Sequence, residues 1–153
     1  MTERTDTTTQ RKTVLFVTTA DTDILTAERA LSGMPDDYPH VRAFNPVALE
    51  TPEAQEELMT ALEDAGVVIL RLLGGKQSMP QLFDQLVRDC RVRGIPLIAL
   101  PGHQEWDEDL VTACTVPVAE VETVFAYLMR GGVQNLENLF FFLSDTYLGT
   151  DYG

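Results

Sequence analysis

The sequence predicts an α/β fold, with an open, mostly parallel sheet of four or five strands, helices on both faces and a helical C-terminal third. Short runs of apolar and β-branched residues alternate with stretches of helical periodicity, as in right-handed strand–helix–strand units. The first run, residues 13–18, is β-branched and continuous, without alternating charged residues, which is typical of a strand buried on both faces. Together these observations predict a flavodoxin-like or Rossmann-like arrangement.

The first half of the chain predicts two strand–helix pairs. Residues 13–18 form a continuous β-branched run, and a helix follows that begins at Thr22 or Asp23 and ends at Leu31. Residues 41–44 are a weaker second strand. A second helix begins with Pro52 at its first helical position and continues up to residue 66.

The second half begins with residues 67–73, the most strongly apolar strand pattern in the chain. An amphipathic helix follows from residue 79 and ends at Gly94, and residues 95–100 are the next strand. The pair Thr115-Val116 is a candidate fifth strand. Two helices complete the pattern, one from Pro117 to Leu128 before Gly131-Gly132, and one marked by Leu136, Leu139, Phe140 and Leu143.

A single domain is predicted over residues 13–153, after a disordered leader over residues 1–12. That leader is polar and rich in threonine and lacks the apolar core of a signal peptide. No apolar run is long enough for a membrane span, so we expect a cytoplasmic protein. Cys90 and Cys114 lack the spacing of a metal or redox motif, and we expect both to be buried free thiols.

The charge of the chain excludes several classes of partner. It has 24 acidic and 11 basic residues, giving a net charge of -13, which repels phosphate backbones and anionic lipid headgroups. We therefore expect no nucleic acid and no membrane among its partners. An acid-rich surface with few lysines is tolerated in a high-salt cytoplasm, and it also occurs in ordinary acidic bacterial or archaeal proteins.

Two carboxylates follow the first predicted strand, at the edge where parallel sheets bind ligands. Asp21 and Asp23 lie in a loop without glycine, and their charges argue against the phosphate of a flavin or dinucleotide. They are candidates to hold a metal ion or to accept hydrogen bonds from a ligand. The alternative is that one of them, or Thr22, caps the following helix.

Arg71 lies near the end of the strongest predicted strand, in a run that is otherwise apolar. A charge in such a strand needs a partner, and Asp21 or Asp23 at the neighbouring strand end would supply one. Arg71 is therefore a candidate either for a structural ion pair or for a ligand-binding cation. A cation at this place also argues against a phosphoryl-accepting receiver domain, which needs an acceptor aspartate there.

Gly74 and Gly75 precede Lys76 and Ser78 in a segment that superficially resembles a phosphate-binding loop. The spacing departs from that motif twice, so no ATP site is predicted. We expect the glycines to allow a tight strand-to-helix turn with a close backbone approach, and we include them among the candidates for ligand or interface contacts.

His103 follows the last strong strand and stands beside Glu105, Asp107, Glu108 and Asp109. A histidine among carboxylates is a candidate for metal binding or acid–base chemistry. The alternative is that these acids mark the beginning of a helix, where negative charge is favourable. No nucleophile motif occurs, so no catalytic residue and no metal ligand is assigned.

Segments in collinear order, covering nearly all residues after Lys12, carry a resemblance to one family. They are Leu15–Asp23, Ala43–Pro46, Val68–Gly75, Gly94–Pro96, Thr115–Pro117, Tyr127-Leu128, Gly131–Leu136 and Phe142–Thr146. These segments resemble the extreme N-terminus of the large subunit of aerobic-type cobaltochelatase (CobN type). The magnesium chelatase large subunit is a related but poorer match.

The resemblance implies that the chain is the N-terminal head of a much longer subunit that binds a corrin ring and Co²⁺. The whole enzyme would be a ligase that inserts Co²⁺ into hydrogenobyrinic acid a,c-diamide in cobalamin biosynthesis. Separate AAA+ chelatase subunits would hydrolyse ATP-Mg²⁺, in agreement with the missing phosphate loop. We expect no cofactor on this chain and no activity from it alone, because the resemblance associates chelation with the remainder of the large subunit.

Two other interpretations remain open, namely a free-standing α/β module that binds a tetrapyrrole or a protein, and a fragment of a magnesium chelatase large subunit. The last predicted helix bears on the choice, because Phe140, Phe141 and Phe142 put apolar surface on more than one of its faces. We expect the remainder of a large subunit to cover part of that surface.

Overall fold

A computed structural model describes residues 13–102 and 108–152 of the chain, and within them it contains a four-stranded parallel sheet with helices on both faces. The strands are β1 (Thr13–Thr18), β2 (Val41–Phe44), β3 (Ala65–Leu72) and β4 (Leu97–Pro101). The helices are α1 (Asp21–Ser32), α2 (Pro52–Glu63), α3 (Pro80–Arg93), α4 (Glu108–Ala113), α5 (Val118–Arg130) and α6 (Val133–Tyr147). The predicted α/β fold class is confirmed, while the predicted leader over residues 1–12 lies outside the described residues.

The order of strands in the sheet is β2-β1-β3-β4, with every neighbouring pair parallel. The chain moves to one side of β1 to form β2 and then crosses back to form β3 on the other side. This reversal makes the carboxyl ends of β1 and β3 a topological switch point, which is where open parallel sheets bind ligands. The register places Arg71 of β3 directly beside Thr18 of β1 at that edge.

The strands are mostly apolar, as expected for a sheet with both faces covered, and the exceptions include Arg42 in β2 and Arg71 in β3. One face packs against α2, α3 and α4, and its buried strand residues include Leu15, Val68 and Leu70. The other face packs against α1, α5 and α6, and it buries Phe16 and Ile69 among others. The apolar runs of β1 and β3 thus supply the core on both sides.

Helix boundaries follow the capping and breaking residues of the sequence. Pro52 begins α2, and the Thr51 hydroxyl accepts a hydrogen bond of 3.1 Å from the Ala54 amide. Gly94 ends α3 in the left-handed conformation, with φ of 71°. Among the described residues, no helix is long and apolar enough to cross a membrane.

The candidate fifth strand at Thr115-Val116 is wrong, because the sheet of the described residues ends at β4. Thr115 nevertheless bonds to the edge of β4. Its amide donates to the Leu97 carbonyl oxygen and its hydroxyl accepts from the Leu97 amide, both at 2.9 Å. The Thr115 hydroxyl thus takes the place of one main-chain hydrogen bond of a fifth strand. Pro117 then begins the turn into α5, so the backbone hydrogen bonding to β4 does not extend further.

The chain itself buries one of the three consecutive phenylalanines of α6 and leaves the other two partly exposed, so the external cover expected for part of this surface stays a prediction. Phe140 is 1% exposed and lies in the core with α1 and α5. Phe141 is half-buried, with its ring centroid 5.1 Å from that of Tyr152, and Phe142 is half-buried against the same core. Asp145 holds Tyr152 in place by accepting a 2.8 Å hydrogen bond from its amide.

Candidate functional site

The carboxyl edge of the sheet brings together five of the six candidate residues. Asp21 and Asp23 follow β1, Arg71 lies in β3, and Gly74 and Gly75 follow β3. The sixth candidate, His103, lies outside the described residues. The site can therefore be described around the ends of β1, β2 and β3.

Asp23 and Arg71 form a largely buried ion pair at this edge. The Arg71 Nη1 atom lies 2.9 Å from Asp23 Oδ1 and 2.8 Å from Asp23 Oδ2, and the two side chains are only 12% and 13% exposed. The Thr18 hydroxyl donates a further hydrogen bond of 2.8 Å to Asp23 Oδ2. The structural ion pair predicted for Arg71 is confirmed, and Asp23 is the partner.

The remaining donors of Arg71 are less well satisfied. Its Nη2 atom lies 3.4 Å from the Gly102 carbonyl oxygen and 3.7 Å from Met129 Sδ. Among the described residues, its Nε atom is buried and has no hydrogen-bond partner. A buried donor without a partner is costly, so the Nε atom is the point in this cluster where a further acceptor would be favourable.

Asn45 and Thr19 link the loops that follow β1, β2 and β3. Asn45 Nδ2 donates to Asp21 Oδ1 at 2.8 Å, and Asn45 Oδ1 accepts from the Val47 amide at 3.0 Å. Thr19 Oγ1 accepts a 2.9 Å hydrogen bond from the Leu73 amide. These two residues were not among the candidates, although an Asn before Pro46 and a Thr directly after a strand are typical of residues that organise turns.

Neither Asp21, Thr22 nor Asp23 caps α1 with its side chain, so the predicted helix cap is wrong. The capping position is Ala20, which makes no side-chain cap bond, and the two aspartates lie in the first turn. Their negative charge there still complements the helix dipole. The cap fails because the helix begins one residue before Thr22, at Asp21, so all three side chains lie inside its first turn and Ala20 takes the capping position.

The two glycines after β3 form the predicted turn, with φ of 87° at Gly74 and 64° at Gly75. The close backbone approach occurs at Gly102 instead. A Cβ atom on Gly102 would lie 2.8 Å from the Cα atom of Leu73, which is closer than real Cβ contacts allow. The strand-end turns of β3 and β4 therefore pack directly on each other.

The described residues offer few side chains that are arranged for metal binding or for nucleophilic catalysis. Among the described residues, no three His, Cys, Asp or Glu side chains are grouped to hold a metal ion. Burial raises the pKa of the Cys90 thiol to about 12, and burial also raises the pKa of Cys114, so neither free thiol favours the nucleophilic thiolate at neutral pH. The predicted free thiols are confirmed, although Cys114 is only half-buried.

Comparisons with known proteins identify relatives in one family. No family model matches the chain. The aerobic cobaltochelatase subunit CobN of Pseudomonas aeruginosa is 29% identical over 140 residues, which is 91% of this chain and 11% of that protein. The structure of the catalytic subunit of cobaltochelatase from Mycobacterium tuberculosis superposes with a TM-score of 0.74 and 31% identity, over 93% of this chain and 11% of that one.

The chain therefore spans about one ninth of the length of these relatives. The match extends over nearly all of the described residues and agrees with the collinear segments that carry the resemblance in the sequence. In both sequence and fold, this chain is similar over nearly all of its length to one segment of the cobaltochelatase large subunit.

Proposed function

We propose that this chain is the N-terminal segment of the large subunit of an ATP-dependent cobaltochelatase, and that the whole subunit inserts Co²⁺ into the corrin ring of hydrogenobyrinic acid a,c-diamide. The observation that carries the proposal is the 31% identity and TM-score of 0.74 to a cobaltochelatase catalytic subunit over 93% of the chain. AAA+ partner subunits supply ATP hydrolysis in this proposal.

Within that subunit, we assign the segment a structural role. Metal insertion requires groups that take protons from the ring nitrogens and others that replace water on the metal, normally carboxylates or imidazoles. At the strand-end edge, Asp23 is bound by Arg71 and Thr18, and Asp21 is bound by Asn45. The Asp23 carboxylate is thus engaged in holding the fold, and among the described residues Asp21 belongs to no group of side chains that could hold a metal ion.

The alternative function, a free-standing tetrapyrrole-binding module, is favoured by one observation, the unpartnered Nε atom of Arg71. A propionate or amide oxygen of a corrinoid is an acceptor of the kind that this atom lacks. Under the alternative, Asp21, Gly74, Gly75 and His103 would complete the ligand site.

Titrating a corrinoid into the purified chain while recording the ring absorbance separates the two functions. We expect no spectral change, and no Co²⁺ insertion when the chain is mixed with the AAA+ subunits and ATP-Mg²⁺. Tight binding that is lost in Arg71→Ala and kept in Arg42→Ala, which alters an exposed arginine, would favour the tetrapyrrole-binding module. Product formation by the chain alone would contradict the structural role.

A further inference from the structure

The polar side chains of the carboxyl edge are largely hydrogen-bonded to one another and to the backbone of the neighbouring loops. Thr19 binds the amide of Leu73, and Asn45 bonds to both Asp21 and the Val47 amide. These contacts join the loops after β1, β2 and β3 into one hydrogen-bonded unit. A small polar ligand would have to break them to reach the same groups.

The apolar side chains of the same segments point into solvent. Three residues form what we term the apolar rim: Leu25 early in α1, Val47 after β2 and Leu73 after β3, with exposures of 58%, 72% and 57%. Other exposed large apolar residues, Val92 and Val118, lie on separate helices. Single exposed apolar residues are ordinary, whereas several on one helix and two loops at the same edge of the sheet indicate a contact surface.

A groove of about 540 Å³ adjoins the rim at Val47. Its floor includes the buried side chains of Met79 and Leu82, and the exposed carboxylate of Glu50 lies at its border. The lining of the groove mixes apolar and polar side chains, and such a cleft beside exposed apolar side chains can receive an anchoring side chain of a protein partner.

We propose that the apolar rim and this groove are the surface on which the remainder of the large subunit docks. The inference rests on the proposed function, and it identifies the remainder of the large subunit as the partner that contacts the carboxyl edge of the sheet. The docking face of the partner carries an apolar side chain that fills the groove and basic groups opposite Asp21 and Glu50, both of which are exposed.

The size and charge of the chain favour this occupant over others. The chain covers only 11% of each large relative, so about nine tenths of such a subunit lies outside the matched segment. A second copy of this chain is disfavoured because two surfaces of a protein with a net charge of -13 repel each other. A small polar ligand is disfavoured because the two aspartates, Asn45 and Thr19 are already hydrogen-bonded within the edge, and the unpartnered Arg71 Nε atom is buried.

Association between this chain and the separately produced remainder of the large subunit from the same organism tests the inference. Leu73→Glu and Val47→Glu each place a charge on the rim, and we expect each to weaken association at least about tenfold. Val92→Glu is the matched control, since Val92 is 80% exposed on α3, and it should bind like the wild type. Hydrogen exchange should slow at residues 45–49 and 72–75 in the complex.

Each outcome is decisive. If the wild-type chain does not associate with the remainder, the proposed function and this inference both fail. If it associates but Leu73→Glu and Val47→Glu bind as tightly as Val92→Glu, only the inference fails. It also fails if the rim variants abolish self-association of this chain or corrinoid binding instead, because the occupant would then be a second copy or a small molecule.

Discussion

The Asp23–Arg71 pair and the Arg42–Glu57 pair are two ion pairs of similar length in very different surroundings. The first is 12–13% exposed, whereas the side chains of the second are 45% and 62% exposed. Removing one partner of a buried pair leaves an uncompensated charge, but an exposed pair contributes little because water and salt screen it. The two pairs therefore allow the contribution of a largely buried ion pair to stability to be compared with that of an exposed one.

Asp23→Ala should lower the free energy of unfolding by about 3–5 kcal/mol, and Glu57→Ala by less than about 1 kcal/mol. Urea unfolding followed by circular dichroism measures both. The double substitution Asp23→Leu with Arg71→Met should recover much of the loss, because it removes both buried charges. Equal stability of the two single variants would mean that the buried pair does not support the fold.

Gly102→Ala should destabilise the chain because its new methyl group would lie 2.8 Å from the backbone of Leu73. We expect a loss of about 1–3 kcal/mol, seen as a lower Tm. Gly33→Ala is the control, since its close contact would be with the carboxylate of Glu137, the far end of a flexible side chain, and the Ala30 carbonyl oxygen at 3.7 Å is an ordinary contact. A Gly102 variant as stable as the Gly33 variant would show that the two strand-end turns can separate without cost.

Cys90 should resist modification in the folded chain because burial raises the pKa of its thiol from 9.0 to about 12. Between about pH 9 and 12 the unfolded chain loses this proton while the folded chain keeps it, so the free energy of unfolding falls as pH rises through that window. In a Cys114→Ala variant, we expect a thiol reagent at pH 8 to react only after denaturation. Rapid reaction of the native variant would contradict the burial of Cys90.

At the residue scale, the sequence indicates that Arg71 needs a carboxylate but not which one. Choosing Asp23 over Asp21 requires the register that pairs Thr18 with Arg71, and that register depends on contacts distant in the chain. Thr19 and Asn45 escape a search for chemically active residues because their role is to join loops that are far apart in sequence.

At the scale of elements, Thr115 closes part of the exposed edge of β4. Exposed edge strands are templates for association with other chains, and proteins commonly cover them with a loop or a charge. Here a hydroxyl and an amide of one residue bond to Leu97 and occupy positions that another strand would use.

Thr115→Val should leave the Leu97 amide without its acceptor, while Thr115→Ser keeps the hydroxyl. We expect the valine variant to lose about 1–3 kcal/mol of unfolding free energy, and the serine variant to lose much less. Faster hydrogen exchange of the Leu97 amide in the valine variant alone would locate the effect. Identical behaviour of the two variants would show that water replaces the hydroxyl at no cost.

Element boundaries are predictable where a local signal decides them. Residues 13–18 and 41–44 are strands in both the prediction and the structure, and Pro52 and Gly94 mark helix ends as expected. Thr115-Val116 has strand-forming residues, yet its conformation is decided by side-chain bonding to β4. The burial of Phe140 follows from the helical periodicity, whereas the contact of Phe141 with Tyr152 depends on tertiary packing that no periodicity reveals.

At the scale of the whole molecule, the sequence predicts the layered α/β architecture and itself carries the resemblance to the cobaltochelatase large subunit. Both follow from patterns spread along nearly the entire chain, so local errors do not change them. The role of the carboxyl edge is not predictable in the same way. Only the structure shows that the polar groups there bind one another while Val47 and Leu73 face solvent.

The central claim is that this chain works as one segment of a cobaltochelatase large subunit. The most direct test measures Co²⁺ insertion into hydrogenobyrinic acid a,c-diamide by the remainder of that subunit with its AAA+ partners and ATP-Mg²⁺, with and without this chain. We predict little or no insertion without the chain and restored insertion when it is added. Full insertion in its absence, or none in the presence of the correctly folded chain, would contradict the claim.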